Sequence, residues 1–201
     1  MAIHPKLMDR VCYHRYEVEP GLFTPGKDLE VEPKRCLDEL GVPSDLSGLR
    51  ALDIGAWDGP FTFELERRGA QVTALDIQDP DITVFNAVKE IKNSSATYVR
   101  GSVYDAVPET LGTYDLVLFA GVYYHLKNPA LGLQRIRRLL LKRLLQSDLH
   151  ELYRTGFMTF TIADEDAGCL AAFRITHISR EITQVPVSKI GHPFRVGEEH
   201  G

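Results

Sequence analysis

The residues with the clearest capacity for chemistry are carboxylates and glycines gathered at the ends of short apolar runs. Leu49 to Gly59 reads Leu-Arg-Ala-Leu-Asp-Ile-Gly-Ala-Trp-Asp-Gly, so that Asp53 precedes a turn containing Gly55, Ala56, Trp57 and Gly59. A second carboxylate, Asp76, closes the run Gln-Val-Thr-Ala-Leu-Asp that begins at Gln71. At the end of the second strand of a doubly wound sheet, such a carboxylate accepts both hydroxyls of a ribose. The glycine turn offers backbone N–H groups and a helix N-terminus to a nucleotide or an amino-acid carboxylate. A third group, Tyr123-Tyr124-His125, follows the apolar run Thr113 to Gly121. Hydroxyls and an imidazole there position an acceptor, and His125 takes a proton if that acceptor is a hydroxyl.

The elements that must hold these residues are legible in the pattern. Leu49, Ala51, Leu52 and Ile54 predict a buried strand, Gly55 to Gly59 a sharp turn, and Pro60 the first residue of a helix. Arg67-Arg68-Gly69 closes that helix with cations and a glycine cap. A helix is predicted over Pro33 to Leu40 and another over Ile82 to Lys92, with a strand over Thr97 to Arg100. Thr113 to Gly121 is apolar on both faces and so central in a sheet, which places the loop carrying His125 beside the glycine turn at the carboxyl ends of the strands. A dinucleotide fingerprint is excluded, because its three glycine positions hold Gly55, Trp57 and Pro60, and no Gly-Lys-Ser/Thr follows to make a phosphate-binding Walker loop.

The remaining pattern, Asp-x-Gly-x-x-x-Gly, resembles the first motif of the class I S-adenosylmethionine-dependent methyltransferases. Upstream, Tyr13-His14, Gly21 and Thr24-Pro25-Gly26 extend the similarity to a subgroup resembling the tRNA wobble-uridine (5-oxyacetic acid) modification enzymes, over about Tyr13 to Leu133. The resemblance implies a Rossmann-like α/β sheet, mostly parallel, with S-adenosyl-L-methionine as cofactor. It implies that Gly55, Ala56, Trp57 and Gly59 wrap the methionine part, with Asp53 near the amino group. Ile77 then packs on adenine, and Ser102, Val103 and Tyr104 border it. The segment before the core lies over the pocket, so Tyr13 and His14 join Tyr123 as substrate-side residues, with His125 and Tyr124 as catalytic candidates. Acidic Glu19 disfavours a carboxylated form of the cofactor.

Composition sets further bounds. The chain has 201 residues, 44% hydrophobic, with a formal net charge of -5, which suits one globular domain and excludes binding to nucleic acid by bulk charge. Three scattered cysteines, Cys12, Cys36 and Cys169, argue for reduced thiols and a cytoplasmic setting, with no metal site. No apolar run is long enough for a membrane span, and the first residues lack the apolar stretch of a signal peptide. Residues 1–48 read as a lid-like arm and short helix, 49–182 as the methyltransferase domain, and 183–201 as an extended tail. Within 49–182, helical spacing from Pro129 continues to Thr155 with Arg135, Arg137, Arg138, Lys142 and Arg143 interspersed, and Ser147-Asp148 offers a cap for a second helix. This leaves the sheet one strand short, closed by an antiparallel hairpin from Met158 to Ala163 and Cys169 to Ile178. Three functions follow: methylation of an oxygen on a small-molecule or sugar acceptor, modification of a tRNA wobble uridine along the basic run, or cofactor binding without catalysis.

Overall fold

The computed structural model describes residues 2–26 and 29–147, and beyond these the backbone course of three strands; from residue 141 onward no side chain is described. The arm contributes five short strands, β1 (Ala2–Ile3), β2 (His14–Arg15), β3 (Glu17–Glu19), β4 (Leu22–Phe23) and β5 (Leu29–Glu30), followed by α1 (Pro33–Glu39). They form two small sheets, β1-β4-β3 and β2-β5, so the arm has more order than its turn-rich sequence suggests.

The core then alternates strand and helix: β6 (Arg50–Ile54), α2 (Pro60–Arg67), β7 (Gln71–Asp76), α3 (Phe85–Ile91), β8 (Thr97–Arg100), α4 (Pro108–Leu111), β9 (Tyr114–Ala120), α5 (Pro129–Leu139) and β10 (Leu140–Ser147). Antiparallel strands β11 (Met158–Ala163), β12 (Ala172–Thr176) and β13 (Ile182–Val185) complete one eight-stranded sheet in the order β13-β12-β11-β10-β9-β6-β7-β8. From β8 to β10 all pairs are parallel. The chain fills one side of β6 with β7 and β8, then crosses to place β9 on the other. The switch point, where crevices form in such sheets, lies between the carboxyl ends of β6 and β9.

Both faces of β9 are covered, which accounts for its unbroken apolar run. Leu116, Leu118 and Ala120 pack with Leu37, Leu46, Phe61 and Leu65 on one face, and Val117 and Phe119 pack with Leu52, Ile54, Ile136 and Leu139 on the other. A third cluster ties the arm down, with Leu7, Tyr16 and Val18 against Phe63, Phe85 and Val88.

Four expectations are corrected. The helix from Pro129 stops at Leu139, and Leu140 turns to φ -90, ψ 130 to start β10, so the fifth parallel strand is present. Lys142 and Arg143 therefore lie on a strand and the basic run is broken. The helix expected over Ile82 to Lys92 starts at Phe85, as α3, because Val84 adopts φ 62. Ile182–Val185 pairs with β12 where the sequence reading begins its tail. The cap at Asp148 and the tail beyond Val185 lie outside the described residues.

Arg68, expected as a helix-end cation, is instead a buried cross-brace. Its guanidinium donates to Glu64 Oε1 (3.0 Å), the carbonyls of Val42 (2.8 Å), Pro43 (3.2 Å) and Lys34 (2.9 Å), and Asp38 Oδ1 (2.8 Å). Arg68→Met is expected to lower unfolding free energy by about 3–5 kcal/mol, because it leaves the Lys34, Val42 and Pro43 carbonyls without this donor, while Glu64 keeps its two bonds from Arg67; urea denaturation measures it.

Candidate functional site

Asp76 is held at the end of β7 by two amides. Trp57 N donates to its Oδ2 and Gln78 N to its Oδ1, each at 2.9 Å, and its main-chain carbonyl accepts from Gly101 N at 2.8 Å. Asp76 thus joins the glycine loop, through its carboxylate, to the loop after β8, through its main-chain carbonyl, and each carboxylate oxygen keeps a lone pair for a ligand hydroxyl. This is the geometry a ribose needs. Ile77, next in sequence, is 63% exposed beside it. An exposed apolar side chain at this place is available to a ring such as adenine.

The glycine loop itself is used differently from expectation. The amides of Gly55 and Ala56 donate to the Leu75 carbonyl (2.8 and 3.4 Å), Trp57 N goes to Asp76, and Gly59 N goes to the Ala56 carbonyl (2.7 Å). These N–H groups fix the turn and do not form an open anion cradle. Gly55, at φ +80, also lies so close to the loop after β9 that a Cβ would fall 2.1 Å from Val122 Cγ2. That contact brings the glycine loop and the loop after β9 together at the switch point.

Asp53 faces inward. Its Oδ2 accepts from the Thr62 hydroxyl at 2.6 Å, tying β6 to α2. Burial, with the nearby Asp76 charge, pushes its carboxyl up to about 6 against the opposing Thr62 hydrogen bond. Folded Asp53 therefore keeps its proton to about pH 6, whereas the unfolded chain releases it near 3.8. The folded state binds more protons between these values, so this residue's contribution falls as pH rises through the window. Asp53→Asn, which keeps an acceptor for Thr62, is expected to gain about 1–3 kcal/mol at pH 7 and little at pH 4, measured by urea unfolding at both.

The arm meets the loop through a buried cluster that sequence reading missed. Asp58 is fully buried; it accepts from His14 N at 2.9 Å, lies 3.2 Å from Cys12 Sγ, and bonds the His14 ring through Nδ1. Its carbonyl accepts from the Tyr16 hydroxyl at 2.6 Å. Burial and the Asp58 charge push the Cys12 thiol up to about 12, so it is a neutral structural group. Tyr13 is outside this cluster, 41% exposed, with its ring 6.2 Å from that of Trp57. The signal for Asp58 was an acid inside a glycine turn, downstream of a Tyr-His pair able to pair with it.

Other expected site residues divide. Tyr124 and His125 stand exposed and stacked at 4.2 Å on a 3-10 turn, Tyr123–His125, while Tyr123 packs partly into the core. Ser102 accepts from Tyr104 N at 3.2 Å, Val103 is buried in the core, and the Tyr104 hydroxyl accepts from Asn128 N at 2.9 Å. Val103 is thus a packing residue, leaving Ser102 and Tyr104 at the rim. Glu19 pairs with His4 at 3.3 Å and lines a groove of about 1190 Å³ with Phe23, Phe63 and Glu64. That groove includes no glycine-loop residue.

Comparison with known proteins agrees with this layout. Residues 52–143 match the family profile described as a methyltransferase domain. These residues thus resemble a methyltransferase domain, and the sheet is the Rossmann-like one of methyltransferase structures. The chain is similar to the ubiquinone biosynthesis O-methyltransferase of Xanthomonas oryzae pv. oryzae (strain PXO99A), 31% identical over 58% of this chain and 48% of that protein. It is also similar to the tRNA U34 carboxymethyltransferase of Desulforapulum autotrophicum, 32% identical over 46% of this chain and 28% of that one. The chain thus spans about half, or less, of the length of these curated relatives. Among solved structures, the N-terminal domain of EvdMO1 with SAH bound superposes with a TM-score of 0.55, at 25% identity, over 71% of this chain and 60% of that one.

Proposed function

We propose that the chain transfers the methyl group of S-adenosylmethionine to an oxygen of a small-molecule acceptor. The observation that carries the reading is Asp76, a carboxylate preset by the Trp57 and Gln78 amides at the end of the second core strand with capacity left for two hydroxyls. Bound S-adenosylmethionine supplies a methyl group made electrophilic by its sulfonium. Asp76 orients the ribose, Ile77 and the Ser102–Tyr104 rim flank the adenine, and the Gly55–Gly59 turn backs the methionine end. Tyr13 and Trp57 on one side and Tyr124 and His125 on the other meet the acceptor. His125 would take the proton of a hydroxyl acceptor as the methyl passes from sulfur to its oxygen, the carbon–sulfur bond breaking to leave the neutral thioether S-adenosylhomocysteine; a carboxylate acceptor would need no base. Alignment supplies most of the rate enhancement.

The O-methyltransferase relative supports oxygen as the nucleophilic atom. The tRNA reading draws on the carboxymethyltransferase relative, but its basic track is weaker than the sequence suggests, since Arg138 pairs with Glu109 at 3.2 Å and the helix ends before Lys142. The non-catalytic reading rested on a missing strand, and β10 removes that motive. A cytoplasmic setting is supported by Cys12 and Cys36 as buried free thiols; no helix among the described residues is long and apolar enough to cross a membrane.

Calorimetric titration of S-adenosylmethionine and S-adenosylhomocysteine, followed by transfer of labelled methyl to a panel of phenols, sugars and carboxylates, tests the reading. Binding with label appearing in an ether or ester is the expected result. Binding with label only in tRNA moves the assignment to the second reading, and no binding to either ligand removes both.

A further inference from the structure

Asp58 lies on the core's glycine loop, yet among the described residues every hydrogen-bond partner of its carboxylate comes from the arm. These are His14 N, the His14 ring and the Cys12 thiol, while the Tyr16 hydroxyl takes its carbonyl. The donors are themselves braced. Thr24 Oγ1 donates to the His14 carbonyl (2.6 Å) and accepts from Tyr16 N (3.0 Å), and Gly26 packs so tightly on His14 that a Cβ would fall 2.1 Å from the His14 carbonyl oxygen. The Thr-Pro-Gly turn thus holds the arm in the shape that reaches Asp58.

On the other side of the same loop, Trp57 N binds Asp76 Oδ2. Trp57 adopts φ 49, a left-handed conformation that a residue with a side chain rarely keeps unless its surroundings hold it there. Here the holding is done from both ends, by Asp76 in front and by the arm through Asp58 behind. A continuous set of bonds runs from His14 and Tyr16, through Asp58 and the Trp57 amide, to the carboxylate that meets the ribose.

We propose that Asp58 is a positioning residue that couples docking of arm residues 12–16 to cofactor binding at Asp76. The proposal rests on the methyltransferase reading above. Loosening the arm frees the loop to leave its left-handed turn, which withdraws the Trp57 amide from Asp76. A cofactor seated on Asp76 fixes the loop in the only shape the arm fits. Linkage makes the two effects reciprocal. Docking also carries the Tyr13 ring to Trp57, so the aromatic wall at the mouth forms with the cofactor site.

The test uses the full chain and S-adenosylhomocysteine as probe, with affinity by calorimetry and amide hydrogen exchange of residues 12–16 with and without the probe. Asp58→Asn and Tyr16→Phe each weaken binding about tenfold, and their double variant by less than the product. In the wild type the probe slows exchange at residues 12–16, and in Asp58→Asn that slowing is lost. Tyr16→Phe removes one hydroxyl from a retained ring, so it reports even if Asp58→Asn does not fold. Wild-type affinity in variants whose arm exchanges faster overturns the coupling and leaves Asp58 as a structural clamp. Absence of binding in the wild type removes the methyltransferase reading itself, and the coupling with it.

Discussion

Asp76→Ala weakens binding of S-adenosylhomocysteine by about 1–3 kcal/mol, roughly 5- to 150-fold, and lowers the thermal midpoint, since the Trp57 turn loses one of its two holds. The carboxylate is buried at the end of β7, and its partners in the protein are two amides to which water can supply an acceptor in its place. The ribose has no such substitute. Asp76→Asn separates the two roles, since its amide oxygen still accepts from Trp57 N while one ribose hydroxyl meets a donor in place of an acceptor. Calorimetry on both variants is expected to show Asn between wild type and Ala. Equal affinity in all three places the ribose elsewhere.

Gly55→Ala lowers stability by about 2–5 kcal/mol, together with loss of cofactor binding. Two causes add. At φ +80 a side chain brings a backbone penalty of about 1–2 kcal/mol, and the new Cβ, 2.1 Å from Val122 Cγ2, must displace the acceptor loop at a cost of about 1–3 kcal/mol. Urea denaturation of Gly55→Ala and of Gly55→Ala/Val122→Ala distinguishes them. The second change relieves the steric part and restores about half the loss, while the backbone part stays. No recovery means that the turn's conformation alone sets the requirement for glycine.

The site was legible to different depths. The spacing of Asp53, Gly55, Gly59 and Asp76 exposed the glycine loop because each residue type answers a local need: a turn, a helix start, a strand end. Asp53 shared that spacing but points to Thr62, since strand alternation says which face a residue occupies and not which neighbour meets it there. Val103 read as a rim residue and is core for the same reason. Asp58 was invisible as a functional residue because all its hydrogen-bonding partners sit more than forty positions upstream.

The sequence by itself determined the alternation of strand and helix, the central placement of β9, the glycine turn with Pro60 behind it, and the carboxylate at the end of β7. All of these follow from short-range periodicity and from the backbone needs of glycine and proline. Only the tertiary structure decided β10. Leu139 to Ser147 has neither glycine nor proline to mark a boundary, and leucine runs separated by Lys142-Arg143 fit a strand as well as a helix. The choice was made by β9, whose open edge offers Leu116 to Ala120 a parallel partner in Arg143 to Ser147, satisfying backbone groups that would otherwise be buried unpaired. The same holds for the arm: its residues set a shape, and a carboxylate on a distant loop set where that shape binds.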